Sequence, residues 1–217
     1  MGRVNSAAVY ASGGGSATAE ELASVARSYE SRGAPVRFRL TPLTPRNALP
    51  LLLAAGGQVS RPVVVMTLDL AAVGAAGSPP TVELTPGAGA EWAETYLSAY
   101  DAREGRPRLE LAVAAPSPRR YALARSERGV AGIALGVLVD GALGVFDVLT
   151  VPEHRRTGVA TATVGALLEW GRDEGADIAY LQVAADNAGA LRLYERLGFE
   201  PAYEYLYAWP APPSSPV

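Results

Sequence analysis

The 217-residue sequence predicts an α/β protein built on a mixed sheet. Three observations predict it. Residues 109–115, 119–125 and 129–139 are short apolar runs separated by tight turns, the pattern of antiparallel strands. Residues 142–151 form an apolar strand that passes through a polar loop into a helix opened by Gly158. Residues 178–209 run strand, helix, strand, so strands and helices alternate along the chain.

The composition narrows the chemistry. There is no cysteine, which excludes disulfides, thiolate zinc sites and cysteine nucleophiles, and the single histidine, His154, excludes a histidine-rich metal site. All 19 basic residues are arginine and are spread along the chain; with the alanine bias this reads as a GC-rich bacterial genome. The net charge of −3 and the lack of a basic tract give no sign of a nucleic-acid partner. No apolar run reaches the ~20 residues of a membrane span, and no signal-peptide core is evident, so no membrane partner is expected and the cytoplasm is the expected compartment.

Along the first half, residues 3–10 read as a strand and Ser12-Gly13-Gly14-Gly15-Ser16 as a turn; the glycine run lacks the spacing and the lysine of a phosphate loop. Thr18 and Glu21 form a capping box ahead of a helix carrying Leu22, Val25, Ala26 and Tyr29, which Gly33 ends. Residues 36–40 alternate as a half-exposed strand, 47–55 form a short apolar helix stopped by Gly56-Gly57, and 61–70 hold a buried strand. Residues 71–80 have linker composition, 82–84 a brief strand, and 91–104 one helix with Trp92, Tyr96, Leu97 and Tyr100 on a stripe. Gly105 and Pro107 close this half. In the second half, Asp140-Gly141 marks a hairpin, residues 158–174 a helix ended by Gly175, 188–197 a helix ended by Gly198, and 210–217 a disordered tail. The strand–helix–strand order of residues 36–70 repeats in 178–209, either a duplication or a chance likeness among α/β units.

The residues with chemistry lie where the apolar strand meets the glycine-opened helix. A helix N-terminus presents unpaired N–H groups and partial positive charge, which suits an anion. Gly158 lets a phosphate approach the backbone, Ala160 keeps the first turn open, and Arg155 and Arg156 offer charge-assisted contacts. The bland alternative is a strand–loop–helix with a solvated arginine pair.

This segment, Arg155-x-x-Gly158-x-Ala160, resembles motif A of the GNAT N-acetyltransferase superfamily. Residues 181–199, with Asn187, then Tyr194 and then Leu197-Gly198-Phe199, resemble that family's motif B. The resemblance covers residues 107–209. It implies the GNAT acyl-CoA N-acyltransferase fold, a mostly antiparallel central sheet splayed at the coenzyme site, and acetyl transfer from acetyl-CoA, without a metal, to a primary amine of a small molecule or peptide. It implies that the backbone of Val148, Leu149 and Thr150 holds the pantetheine arm. Arg155, Arg156, Thr157, Gly158, Val159, Ala160 and Thr161 then hold the pyrophosphate, and Asn187 contacts the arm. Tyr194 protonates the leaving thiolate or, alternatively, is a core tyrosine. Asp147 is the only acid in residues 142–151; it is the candidate base, with a cap or salt-bridge role as the alternative. Glu153 and His154 are expected to be solvated. Gln182 stands where the subfamily acetylating protein N-termini has Glu, and cannot act as a base. Tyr180, Tyr203 and Tyr205 line an acceptor pocket or pack. The resemblance also implies a domain over residues 91–209 and a degenerate GNAT-like lobe over 1–90 without a motif A turn, either truncated before Arg3 or read from a start other than the natural one. A homodimer is a further expectation, and a non-catalytic acyl-CoA sensor is the competing function.

Overall fold

The computed structural model describes residues 6–10, 15–72 and 81–210. Residues 3–5 of the expected first strand, most of the glycine turn, residues 73–80 of the expected linker and 211–217 of the expected tail lie outside them. In chain order the elements are β1 (Ala7–Ala8), α1 (Ala19–Glu30), β2 (Phe38–Leu40), α2 (Ala48–Ala54), β3 (Gln58–Val59), β4 (Val63–Asp69) and β5 (Val82–Thr85). Next come α3 (Ala90–Ser98), α4 (Ala102–Val113), β6 (Arg119–Ser126), β7 (Gly129–Val139) and β8 (Ala142–Thr150). The last are α5 (Val159–Asp173), β9 (Ile178–Ala184), α6 (Ala188–Arg196) and β10 (Glu200–Trp209).

These elements fall into two compact units that interleave along the sequence. The first holds residues 1–65, 183–187 and 201–217; the second holds 66–182 and 188–200. In the first unit, β1 lies parallel to β2, and β10 pairs antiparallel with β2 and β3. Leu22, Val36, Phe38, Leu40, Leu52 and Ala208 form its core. The capping box holds: Thr18 Oγ1 accepts from Glu21 N at 3.2 Å, and Glu21 Oε2 accepts from Thr18 N at 2.8 Å. Asn47 precedes α2 without capping it, because its side-chain amide bonds both N–H and C=O of Ala17.

In the second unit the strands run β9-β8-β7-β6-β5, antiparallel except for the β8/β9 pair. Asp140 and Gly141 both take positive φ, which matches the twist of a two-residue hairpin between β7 and β8. The two faces of β7 follow its period of two. Ile133, Leu135 and Val137 pack under Trp92, Tyr96 and Ala112 of α3 and α4. The opposite face carries Gly136, where a Cβ would come within 2.8 Å of Leu167, so α5 lies almost on the backbone.

Two sequence expectations change. The stripe over residues 91–104 is not one helix, since α3 ends at Ser98 and Asp101 starts α4 by accepting from Arg103 N and Glu104 N at 2.9 and 3.0 Å. The alternating run after Pro107 is not a strand but the second half of α4. Leu109 and Ala112, three apart, face the Trp92 cluster while Leu111 and Val113 stay exposed, so the helical period prevails. Gly105 and Pro107 therefore lie inside a helix, and the cost of Pro107 is offset by that packing. Replacing Asp101 by Ala is expected to lower unfolding stability by about 1 kcal/mol, read as a lower urea midpoint at constant m-value.

Candidate active site

The site is built where β8 changes its partners. On one side, β8 pairs with β7 as far as Thr150. On the other, its pairing with β9 stops at Gly144↔Tyr180, although both strands continue. From residue 145 onward one edge of β8 carries no β9 partner, a splay of the kind expected from the sequence.

Within that stretch β8 holds an extra residue. Ile133 opposes Leu149 and Leu135 opposes Phe146, so two steps on β7 match three on β8. Ala134 therefore faces both Asp147 and Val148, a β-bulge. Asp147 takes up the kink with φ of 50°, a left-handed conformation that Asp tolerates better than most residues. Helix α3 grips the bulge at two points one turn apart. Trp92 Nε1 donates to the Ala134 carbonyl at 3.1 Å, and the Tyr96 hydroxyl donates to Asp147 Oδ1 at 3.5 Å. Trp92 also stacks on Tyr96 at 5.2 Å. Burial first, then the Asp147 charge, pushes the Tyr96 hydroxyl far above the usual tyrosine range, so it stays a donor.

Beyond Thr150 the chain makes a single 3₁₀ turn over Pro152–His154 and enters α5. Arg156 and Gly158 take positive φ, 64° and 89°. Gly158 is the N-cap, and no side chain caps the helix. The nearby hydroxyls are committed to carbonyls: Thr157 Oγ1 donates to His154 O at 2.7 Å, and Thr163 Oγ1 donates to Val159 O and Ala160 O, both at 3.1 Å. The helix's first backbone bond runs from Ala162 N to Gly158 O, which leaves the N–H groups of Val159, Ala160 and Thr161 for a ligand. Val159 is buried against Ala124 and Ala131 and pins the turn, while Arg155, Arg156, Thr157 and Thr161 are exposed.

The structure thus brings Asp147, Val148, Leu149 and Thr150 onto the stretch of β8 past its last pair with β9, and Arg155 through Thr161 onto the helix start that follows. Glu153 is exposed as expected, but His154 is half-buried, with Nε2 3.3 Å from Oγ of Ser126, the last residue of β6. Tyr194 is buried on α6 and meets Phe199 edge to face at 6.0 Å. Asn187, in the turn after β9, belongs to the first compact unit, whereas Tyr194 belongs to the second. Tyr180 is half-buried beside Phe146, and Gln182 follows it in β9. Tyr203 is exposed and Tyr205 is packed with Tyr207 in the first unit's core. Sequence reasoning missed the bulge, the Tyr96–Asp147 contact and the Phe146–Tyr180 pair. The left-handed tolerance of Asp in an otherwise apolar strand was the one available signal for the bulge.

Comparison with known proteins decides the family. A family model described as the C-terminal region of the probable histone acetyltransferase Rv0428c matches residues 1–208. The chain belongs to this GNAT N-acetyltransferase family. The family match takes in the N-terminal half as well as the motif-bearing half. A GCN5-related N-acetyltransferase from Kribbella flavida superposes with a TM-score of 0.69 at 21% identity, covering 92% of this chain and 79% of that one. A tandem GNAT protein from the clavulanic acid biosynthesis pathway gives 0.64 at 19%, covering 89% and 70%. At these identities the two share the GNAT fold with this chain. The uncharacterized N-acetyltransferase YobR of Bacillus subtilis is 37% identical over 76 residues, 34% of this chain and 31% of its own length. The matches to curated N-acetyltransferases span 25–37% of those proteins' length. No helix among the described residues is long and apolar enough to cross a membrane.

The buried hydroxyls of the site set an alkaline limit for this GNAT fold. Burial raises the pKa of Tyr96, Tyr121 and Tyr180. Unfolded tyrosines ionise near pH ~10, so above that pH the folded chain holds more protons than the unfolded one and stability falls as pH rises. The thermal midpoint is expected to drop above pH ~10, and Tyr96→Phe with Tyr180→Phe to make that drop shallower; an unaltered drop in the double variant would contradict this.

Proposed function

We propose that the protein transfers an acetyl group from acetyl-CoA to the primary amine of an acceptor. One observation carries the reading: a stretch of β8 past its last pair with β9, residues 148–150, leads through one turn to a helix start that no side chain caps. An extended amide-bearing arm needs the first and a pyrophosphate needs the second. Acetyl-CoA supplies the activated acyl group.

In this reading the backbone of Val148, Leu149 and Thr150 pairs with the pantetheine arm in the place that β9 leaves open. The amides of residues 156–161 and the Arg155 and Arg156 side chains hold the pyrophosphate. Asp147, aimed by the bulge and held by Tyr96, takes the proton from the attacking amine, directly or through a water. Nitrogen bonds to the carbonyl carbon, the carbon–sulfur bond breaks, and Tyr194 donates its proton to the departing thiolate. A backbone N–H at the bulge stabilises the carbonyl oxygen as it gains charge.

The N-terminal part of the first unit, residues 15–65, fits a lobe that has lost coenzyme binding. Its α1 begins with a carboxylate, Glu21, bonded at 2.8 Å to Thr18 N and to Thr18 Oγ1, so an anion meets a start that is already capped and negatively charged. The backbone and side chain of Thr18 also lower the Glu21 pKa. A duplication of residues 36–70 and 178–209, giving lobes over 1–90 and 91–209, is a division of ancestry; by contacts β10 sits with the N-terminal strands.

Two substitutions test the reading. Gly158→Val imposes roughly 1–2 kcal/mol of left-handed strain and closes the approach to the turn. Calorimetry is expected to find acetyl-CoA binding lost, with the circular dichroism of the fold retained; unchanged affinity would overturn the pyrophosphate site. Asp147→Asn is expected to cut kcat by about 10²–10⁴ with little change in acetyl-CoA affinity. Tight binding with no turnover on any amine of a broad screen, followed by thiol release, would favour an acyl-CoA sensor instead.

A further inference from the structure

The closed end of the splay has a construction of its own. Gly144 and Tyr180 are the last residues at which β8 and β9 pair with each other. Gly144 is buried, and a Cβ there would lie 2.6 Å from Phe146 Cζ and 2.9 Å from the Tyr180 hydroxyl. The Phe146 ring therefore occupies the volume that any side chain at residue 144 would need. It meets the Tyr180 ring edge to face, with centroids 5.9 Å apart and planes at 85°, a favoured aromatic geometry. Phe146 also packs on the Trp92–Tyr96–Tyr121 cluster beneath α3, which keeps it from swinging aside. Burial raises the Tyr180 pKa, so this ring too presents a neutral face.

Reach connects this plug to the reaction. The pantetheine arm has two amides and about the backbone length of four extended residues, ~13 Å. From Thr150 back to Phe146 the bulge contracts β8 to three steps of β7, Gly132 to Leu135, ~10 Å at the rise of a strand, so the arm spans it with ~3 Å left towards the start of α5. With the pyrophosphate at the start of α5, the sulfur arrives near Asp147 and Phe146, and whatever the sulfur carries points at the vertex.

We infer that Phe146, seated over Gly144 against Tyr180, closes the acyl end of the donor cleft and restricts the donor to short acyl groups, acetyl before butyryl and hexanoyl. The inference rests on the donor reading above, and deepens it by naming which acyl-CoA the cleft accepts. In an open apolar channel each added methylene would strengthen binding about fourfold. Against a packed pair of rings added methylenes have nowhere to go, and the trend reverses.

The experiment measures Kd by calorimetry, and kcat/KM where an accepted amine is available, for free CoA and for acetyl-, propionyl-, butyryl- and hexanoyl-CoA. The wild type is expected to bind hexanoyl-CoA at least about tenfold more weakly than acetyl-CoA. Phe146→Ala is expected to flatten or invert that order, and Phe146→Leu, a milder change in packing, to shift it part-way. Wild-type affinity that is level or rising with chain length overturns the gate while leaving the donor site intact, as does an unaltered order in a folded Phe146→Ala or Phe146→Leu. Failure of free CoA and every acyl-CoA to bind overturns the donor reading, and the gate with it. The wild-type series needs no variant, so it decides the matter even if both variants fail to fold.

Discussion

The site depends on one asymmetry of pairing: β8 keeps its partner β7 to Thr150 but loses its partner β9 after Gly144. A strand inside a sheet cannot leave a row of backbone groups unpaired without cost. The cost is confined by making the unpaired stretch short and by anchoring it from above. The bulge at Asp147 turns the strand where the partner is lost, and Trp92 bonds the carbonyl of Ala134, the residue facing the bulge. Trp92 is 1% exposed, so this anchor is buried within the second unit's core. Stability and chemistry meet in α3, which fixes the bulge through Trp92 and its carboxylate through Tyr96.

The two helices that follow the parallel strands show how capping decides what a helix start can bind. Helix α1 has Thr18 at the N-cap and Glu21 three residues later, so its leading amide and its positive end are met by its own side chains. Helix α5 has a glycine at the N-cap, and its neighbouring threonines bond carbonyls. The substitution of one capping residue type for another leaves one helix start uncapped and the other closed. This difference is local and electrostatic, and requires no change of fold.

Much of this was legible in the sequence because it is local. The Thr18–Glu21 box, the Asp140-Gly141 hairpin, the glycine before α5 and the motif B run each depend on residues within a few positions, and each sits where the pattern places it. What was not legible depends on distant partners. The run from Leu109 to Val113 alternates like a strand, and only its packing against Trp92 makes it a helix. Tyr96 and Asp147 are 51 residues apart, and Phe146 and Tyr180 lie on separate strands, so neither pair has a sequence signature. A bulge shows even less, since one extra residue in an apolar strand leaves the composition unchanged.

Glycine serves opposite ends of the same strand pair in two different ways. At Gly158 it supplies a φ of 89°, with open space around the missing side chain, so the backbone can be approached from outside. At Gly144 the missing side chain is replaced at once by the Phe146 ring, so the backbone is closed from inside. On β7, Gly136 admits Leu167 of α5, and on α5 Gly171 admits Leu143 of β8, which seats the helix directly on the strands. A larger residue at either position would lift α5 from the sheet and carry its uncapped first turn away from Thr150. The distance between the helix start and the unpaired strand edge is thus set by small residues far from both, and the cleft is open where its helix begins because the sheet is tightly closed elsewhere.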